Sequence, residues 1–123
     1  YGEFKGRKNI AMMLPTHFHR DAKNFSWEMY DLISNESKGY ARYRFSFTST
    51  LTGSENLCVA VPGMAYFQFN GSLIEYYGEV VNGGIPMAQL NLPSKKIKRV
   101  FEKWSERALE ADPKLRNLYK KGE

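Results

Sequence analysis

The chain has 123 residues, of which 42% are apolar and 15% aromatic, and a formal net charge of +5. A chain of this length favours a single domain that buries about two thirds of its unfolded surface, so its core needs no disulfide or metal. The one cysteine, Cys58, excludes an intrachain disulfide, and no apolar run approaches the roughly 20 residues that span a bilayer. We therefore expect one cytoplasmic domain over residues 1–123, with residues 1–9 as a flexible arm.

The first elements are predicted from short patterns. Residues 10–14 form an apolar run that fits either a strand or a helical turn. Ser26 is predicted to cap a helix over residues 26–34, because the apolar side chains there follow helical i, i+3, i+4 spacing. Those side chains are Met29, Leu32 and Ile33.

A strand is predicted over residues 40–51, because its side chains alternate between two faces. One face carries Ala41, Tyr43, Phe45, Phe47, Ser49 and Leu51, and the other carries Tyr40, Arg42, Arg44, Ser46, Thr48 and Thr50. Residues 57–61 are predicted to form a short second strand that ends at Pro62, with Cys58 buried and inert inside it.

Residues 65–80 contain two aromatic runs joined by Asn70 and Gly71, a pair that favours a two-residue type I′ hairpin turn. That turn sets Phe67 opposite Ile74. One side of the hairpin is then predicted to carry Phe67, Phe69, Ile74, Tyr76 and Val80.

The C-terminal third is predicted to be mainly helical. Residues 85–92 are predicted to form a last edge strand or extended coil, because Pro86 cannot donate the hydrogen bond that a central strand requires. A long basic helix is predicted from Ser94 to Asp112, with a shorter helix after Pro113. The buried stripe of the long helix is predicted to be Ile97, Val100, Phe101, Trp104 and Ala108.

The predicted fold class is therefore α+β with two layers. It comprises an N-terminal helix, a four- or five-stranded antiparallel meander and a basic C-terminal helix. This layout resembles the beginning of cystatin-like and cone-shaped α+β barrels, a likeness of fold that carries no function by itself.

The positive charge is concentrated at the C-terminal end. Residues 1–93 carry eight basic and eight acidic side chains, whereas residues 94–123 carry ten and five. Such a helix is often charged for solubility alone, but cations beside aromatic rings also suit single-stranded nucleic acid. We predict nucleic-acid or nucleoprotein contact through Arg42, Arg44, Lys95, Lys96, Arg99, Lys103 and Arg107.

Two other surfaces leave alternative functions open. Tyr40, Tyr66 and Tyr77 are candidates to anchor a protein partner on the wet face of the sheet, as in an adaptor or inhibitor. A curved sheet can also enclose an apolar ligand beneath a helix. The side chains predicted to line that pocket are Tyr43, Phe45, Phe47, Phe67, Phe69 and Tyr76.

One resemblance bears on the inhibitor alternative. The layout is loosely similar to that of ArdB/KlcA-type anti-restriction proteins at Leu14-Pro15, Glu28, Tyr30, Pro62 and residues 107–113. The resemblance implies an inhibitor that binds a protein partner, although the Gly-Gly-x-Trp segment typical of that family is absent.

The sequence Thr-His-Phe-His-Arg-Asp that ends at Asp21 resembles the Thr-His-x-His-x-Asp zinc motif of the metallo-β-lactamase family. The resemblance implies a metal-assisted hydrolase in which His17 and His19 ligate one metal ion, while Asp21 serves a second ion or the attacking water. The chain has no other histidine, so Glu28, Asp31 or a second chain would have to complete the site. Since no other catalytic or cofactor signature occurs, our first expectation is a non-enzymatic module without a cofactor.

Overall fold

The protein is described from a computed structural model, which defines residues 5–13 and 19–119. It divides into two compact units, Tyr1–Asn91 and Leu92–Glu123. The elements in chain order are α1 (Arg7–Met13), α2 (His19–Asp21), β1 (Ala22–Ser34), β2 (Lys38–Ser49), β3 (Cys58–Asn70), β4 (Leu73–Val81), α3 (Gly84–Gln89), α4 (Ser94–Ala111) and α5 (Pro113–Leu118). The strands form one antiparallel sheet in the order β1-β2-β3-β4, which confirms the predicted α+β class with its antiparallel meander.

The helix predicted over residues 26–34 is wrong, because this segment belongs to β1. Two register shifts interrupt its pairing with β2, and they contain Asn24 and Asp31, whose φ angles are 55° and 52°. Asn and Asp tolerate this left-handed conformation better than other non-glycine residues, so they suit such bulges. Each bulge adds one residue to β1, so the side chains that follow it face the opposite side from the one that strict alternation would give. The spacing between the apolar residues of β1 therefore departs from two and resembles that of a helix.

The alternation predicted for the next strand is confirmed in β2. Ala41, Tyr43 and Ser49 are buried, whereas Arg42 and Arg44 are exposed. The buried side chains of the first unit are mostly small, and the largest of those that are fully buried is Val59. Much of the aromatic surface of the sheet therefore remains partly accessible.

Pro62 lies inside β3 rather than at its end, so the predicted break there is wrong. The last pair between β3 and β4 is Gly63 with Val81, so the β3 residues that precede Gly63 have no strand neighbour on the β4 side. At Ala60 the Gln89 side chain fills this edge, donating to the carbonyl oxygen at 3.0 Å and accepting from the N–H at 2.9 Å. N–H groups two residues apart face the same edge, so the missing N–H of Pro62 costs no strand pairing.

Cys58 begins β3 and is exposed, contrary to the prediction that it is buried. Its neighbour Val59 takes the buried position instead, with no exposed surface. The two residues have opposite environments because successive side chains of a strand face opposite sides of the sheet.

The hairpin between β3 and β4 turns one residue later than predicted. Asn70 pairs with Leu73, so the loop is Gly71 and Ser72, and Gly71 has a φ of 61°. Moving the turn by one residue changes the partners of every residue but keeps each side chain on its predicted face.

A second feature of the hairpin does change the faces. A register shift after Ile74 leaves Glu75 as an extra residue in β4. One extra residue turns every later side chain to the other side of the sheet. Phe67 therefore pairs with Tyr77, and Tyr76, which was predicted beside Phe67, lies on the opposite face.

The edge strand predicted over residues 85–92 is wrong, because the segment forms α3 and its C-terminal turn. Pro86 lies in the first turn of α3, where a missing N–H breaks no helical hydrogen bond. Met87 and Leu90 are buried, and the Ser54 hydroxyl donates to the Leu90 carbonyl oxygen at 2.8 Å. These contacts fix α3 beside β3.

The second unit consists of the two predicted C-terminal helices, α4 and α5. Asp112 separates them in an extended conformation, and its side chain accepts from the N–H groups of Lys114 and Leu115 at 3.0 and 3.2 Å. Asp as N-cap followed by Pro113 is a favoured helix start. The stripe predicted to be buried in α4 is not: no α4 residue is buried, and Trp104 is 40% exposed.

No helix among the described residues is long and apolar enough to cross a membrane. The single domain over residues 1–123 and the arm over residues 1–9 stay predictions. Within the predicted arm, the described residues from Arg7 onward belong to α1.

Candidate functional site

The sheet has two chemically different faces. We call one the aromatic face, and its side chains include Phe25, Trp27, Tyr43, Phe45, Phe47, Phe67, Phe69, Tyr77 and Glu79. We call the other the tyrosine–arginine face, and its side chains include Glu28, Tyr30, Tyr40, Arg42, Arg44, Met64, Tyr66, Gln68, Tyr76 and Val80.

The centre of the aromatic face is a hydrogen bond that joins two strands across a third. The Tyr43 hydroxyl on β2 donates to Oε2 of Glu79 on β4 at 2.5 Å. The ring reaches β4 by lying over Gly63 of β3, where an added Cβ would stand 2.7 Å from Cε1 of Tyr43. A glycine at this position is therefore what allows the tyrosine to cross the strand.

Aromatic rings surround this pair. The Trp27 and Tyr43 ring centroids are 5.5 Å apart, and those of Phe67 and Tyr77 are 5.1 Å apart. Both pairs are tilted, which is a favoured geometry for aromatic contacts. Tyr43 is 2% exposed, whereas Trp27 is 47% exposed. The hydrogen-bonded Tyr43–Glu79 pair therefore lies beside an aromatic ring that is still accessible to solvent.

Burial and the negative charge of Glu79 raise the pKa of both tyrosines of this site. Burial, and then the hydrogen bond and negative charge of Glu79, raise the pKa of Tyr43. Burial, and then the charge of Glu79, raise the pKa of Tyr77. The site therefore contains a phenol that donates to the side chain of Glu79.

The tyrosine–arginine face contains a cluster of matched charges around Tyr30. The Arg44 guanidinium carbon lies 4.1 Å from the centroid of the Tyr30 ring, and that of Arg42 lies 5.0 Å from it. Arg44 also pairs with Glu28 and Arg42 with Asp31, each at 3.3 Å. The structure thus brings the predicted pair Arg42 and Arg44 together, but each cation has its own carboxylate.

A row of tyrosines crosses the same face. Tyr40 and Tyr66 stack with centroids 5.1 Å apart, and Tyr66 and Tyr76 are 5.9 Å apart. The Gln68 amide donates to the Tyr66 hydroxyl at 2.7 Å. Tyr77, predicted to join Tyr40 and Tyr66 as an anchor, lies on the aromatic face instead, because the bulge at Glu75 exchanges the two β4 tyrosines.

The residues of the predicted metal motif are only partly described. His17 lies outside the described residues, and the His19 ring packs against Phe25 with centroids 5.3 Å apart. Both carboxylate oxygens of Asp21 accept from Arg20, at 2.9 and 2.8 Å. Among residues 5–13 and 19–119 no group of His, Cys, Asp and Glu is arranged to hold a metal, and the metal site stays a prediction.

The predicted basic residues of the last helix are all exposed on α4. Lys95, Arg99, Lys103 and Arg107 are spaced by four residues, so they form one row along the helix. The acidic residues of α4 interrupt this basic surface, as in the 3.8 Å pair of Lys98 with Glu102.

Comparison with known proteins shows a likeness of fold. The chain is similar to the crystal structure of AclR, a suggested hydroxylase from Streptomyces galilaeus, with a TM-score of 0.57 and 13% sequence identity. The match covers 72% of this chain and 70% of AclR. No protein-family model and no curated protein matches the sequence. At this identity the likeness concerns the fold alone, so an activity has to be argued from the site.

Sequence reasoning missed the Tyr43–Glu79 pair although both residues lie in predicted strands. The side of the hairpin predicted to carry Phe67 does not include Glu79, and the predicted second strand ends at Pro62, before Gly63. A glycine within an otherwise apolar extended run was the available signal, because such a glycine often marks a close approach.

Proposed function

We propose that the protein is a small binding module whose aromatic face takes up a flat, largely apolar molecule carrying one hydroxyl or amino group. The observation that supports this proposal is the 2.5 Å hydrogen bond between Tyr43 and Glu79 among aromatic rings. Small-molecule sites usually combine apolar and aromatic walls with a few polar groups that fix the orientation of the ligand.

The roles of the side chains follow from their chemistry. The Glu79 carboxylate offers several lone pairs, of which Tyr43 engages one, and its residue is exposed. It can accept a charge-assisted hydrogen bond from a ligand hydroxyl or amine, whereas an anionic ligand would be repelled. The accessible rings of Trp27 and Tyr77 supply flat apolar surface on which such a ligand stacks.

Calorimetric titration with 2-naphthol, a flat aromatic alcohol, tests the proposal. We expect saturable binding that Glu79→Gln weakens about tenfold or more, since the ligand's hydrogen bond to this charged group contributes about 1.5–3 kcal/mol. Tyr43→Phe should also weaken binding, because the carboxylate loses the hydrogen bond that fixes its position. Tyr40→Phe, which changes a tyrosine on the other face, is the matched control and should bind as wild type does. Absence of saturable binding, or equal losses in all three variants, would contradict the proposal.

A second candidate function is contact of α4 with single-stranded nucleic acid. It is supported by the exposed row of basic residues spaced by four, while Arg42 and Arg44 are balanced locally by carboxylates. Fluorescence anisotropy with a labelled oligonucleotide at two salt concentrations is the test. We expect affinity to fall with salt, and the paired changes Lys103→Glu and Arg107→Glu to lower both affinity and its salt dependence. Failure to bind at low salt would exclude this candidate.

A further inference from the structure

The tyrosine–arginine face exposes more apolar surface than a solvated sheet face requires. Tyr40 is 49% exposed, Met64 53%, Tyr76 47% and Val80 76%, and all lie on neighbouring positions of β2, β3 and β4. Contiguous apolar surface of this kind marks an interaction site more often than scattered single residues do.

The charges of this face select the partner. Its central cluster contains two arginines and two carboxylates in pairs, so it offers both signs side by side. A uniformly acidic partner such as a nucleic acid would meet Glu28 and Asp31, and a uniformly basic one would meet Arg42 and Arg44. A surface with both signs instead complements a copy of itself turned by a twofold rotation.

The same face also contains a groove that a side chain of a second copy can fill. A groove of about 480 Å³ lies between β1, β2 and β3, with Tyr30, Arg44 and Pro62 among its lining residues. The exposed Met64 lies close by on the same face, and a flexible thioether is well suited to fill an irregular groove. A twofold arrangement allows the methionine of each copy to enter the groove of the other.

The size of the face is sufficient for a weak to moderate dimer. Four strands about 4.8 Å apart, over nine residues of about 3.3 Å each as in β4, give a footprint of roughly 600 Å². The accessible area of a face covered with large side chains exceeds its footprint, which brings it near the roughly 800 Å² per partner of a standard interface.

We infer that two copies of this chain associate through their tyrosine–arginine faces, with the arginines of one copy near the carboxylates of the other. The inference is independent of the ligand site, which lies on the opposite face of the sheet. It predicts that a single charge reversal places like charges against each other across the twofold axis.

Sedimentation of the full chain over a concentration series tests this inference. Wild-type protein should dimerise, and Arg44→Glu and Glu28→Arg should each raise the dimer dissociation constant about tenfold or more, because like charges oppose each other. An equimolar mixture of the two variants should regain the dimer, since the reversed surfaces then complement each other. Met64→Glu should also weaken the dimer, whereas Ile10→Glu, at an exposed apolar residue of α1, should not.

The outcomes are decisive in either direction when circular dichroism shows each variant folded. Wild-type protein that sediments as a monomer up to its solubility limit overturns the inference. Dimers that survive both single reversals show that another surface is used, and a mixture that remains monomeric shows that these residues do not face each other. Absence of 2-naphthol binding by a protein that still dimerises would contradict the proposed function and leave the dimer inference standing.

Discussion

Substitution of Gly63 by alanine is the sharpest test of the aromatic site. The new Cβ would stand 2.7 Å from Cε1 of Tyr43 and closer to the end of the ring. Carbon atoms pack at about 3.5–4.0 Å, so the ring must move by about 1 Å or more. A displacement of that size breaks the 2.5 Å hydrogen bond to Glu79.

The expected loss of stability can be built from three contributions. Loss of a hydrogen bond to a charged acceptor costs about 1.5–3 kcal/mol, and overpacking costs about 1–3 kcal/mol. Replacing glycine by alanine regains about 0.4–1 kcal/mol by restricting the unfolded chain. We therefore expect Gly63→Ala to lower the free energy of unfolding by about 3 kcal/mol.

Urea denaturation of a double-mutant cycle measures this coupling. In a Tyr43→Leu background the shorter side chain no longer crosses Gly63, so Gly63→Ala should there be neutral or slightly stabilising. Gly39→Ala is the control, because its Cβ would meet the Phe69 ring at a milder 3.1 Å. An equal cost of Gly63→Ala in both backgrounds would refute the reasoning that the glycine exists to admit the tyrosine.

Three further predictions concern pH, a helix cap and a bulge. Because the folded protein raises the pKa of Tyr43, the contribution of Tyr43 to stability should be fully present below the ordinary tyrosine value of 10.0 and be lost as pH rises above it. Urea denaturation at several alkaline pH values should show a smaller fall in Tyr43→Phe than in Tyr40→Phe, and equal slopes would contradict this. Asp112→Ala should cost about 1 kcal/mol of helix stability and speed hydrogen exchange at Leu115, with unchanged exchange as the contrary result. Asn24→Ala should cost about 1 kcal/mol in thermal denaturation because φ is 55°, whereas Asn24→Gly should be nearly neutral; equal effects would show that the left-handed backbone is not the cause.

The sequence alone determined the elements whose signals are local. The alternation in β2, the Asp112-Pro113 boundary between α4 and α5, and a hairpin close to Gly71 all follow from neighbouring residues. In each case the deciding physics acts within a few residues: side-chain alternation, a capping hydrogen bond, or a residue that accepts positive φ.

Tertiary structure decided everything that depends on pairing between strands. The two bulges of β1 gave a strand the spacing of a helix, and the extra residue Glu75 placed Tyr77, rather than Tyr76, on the aromatic face. Pro62 fits within β3 because the edge there has no strand neighbour, a fact that no local pattern contains. The Tyr43–Glu79 pair joins residues 36 positions apart across a glycine, and only the folded sheet brings such distant groups into hydrogen-bonding contact.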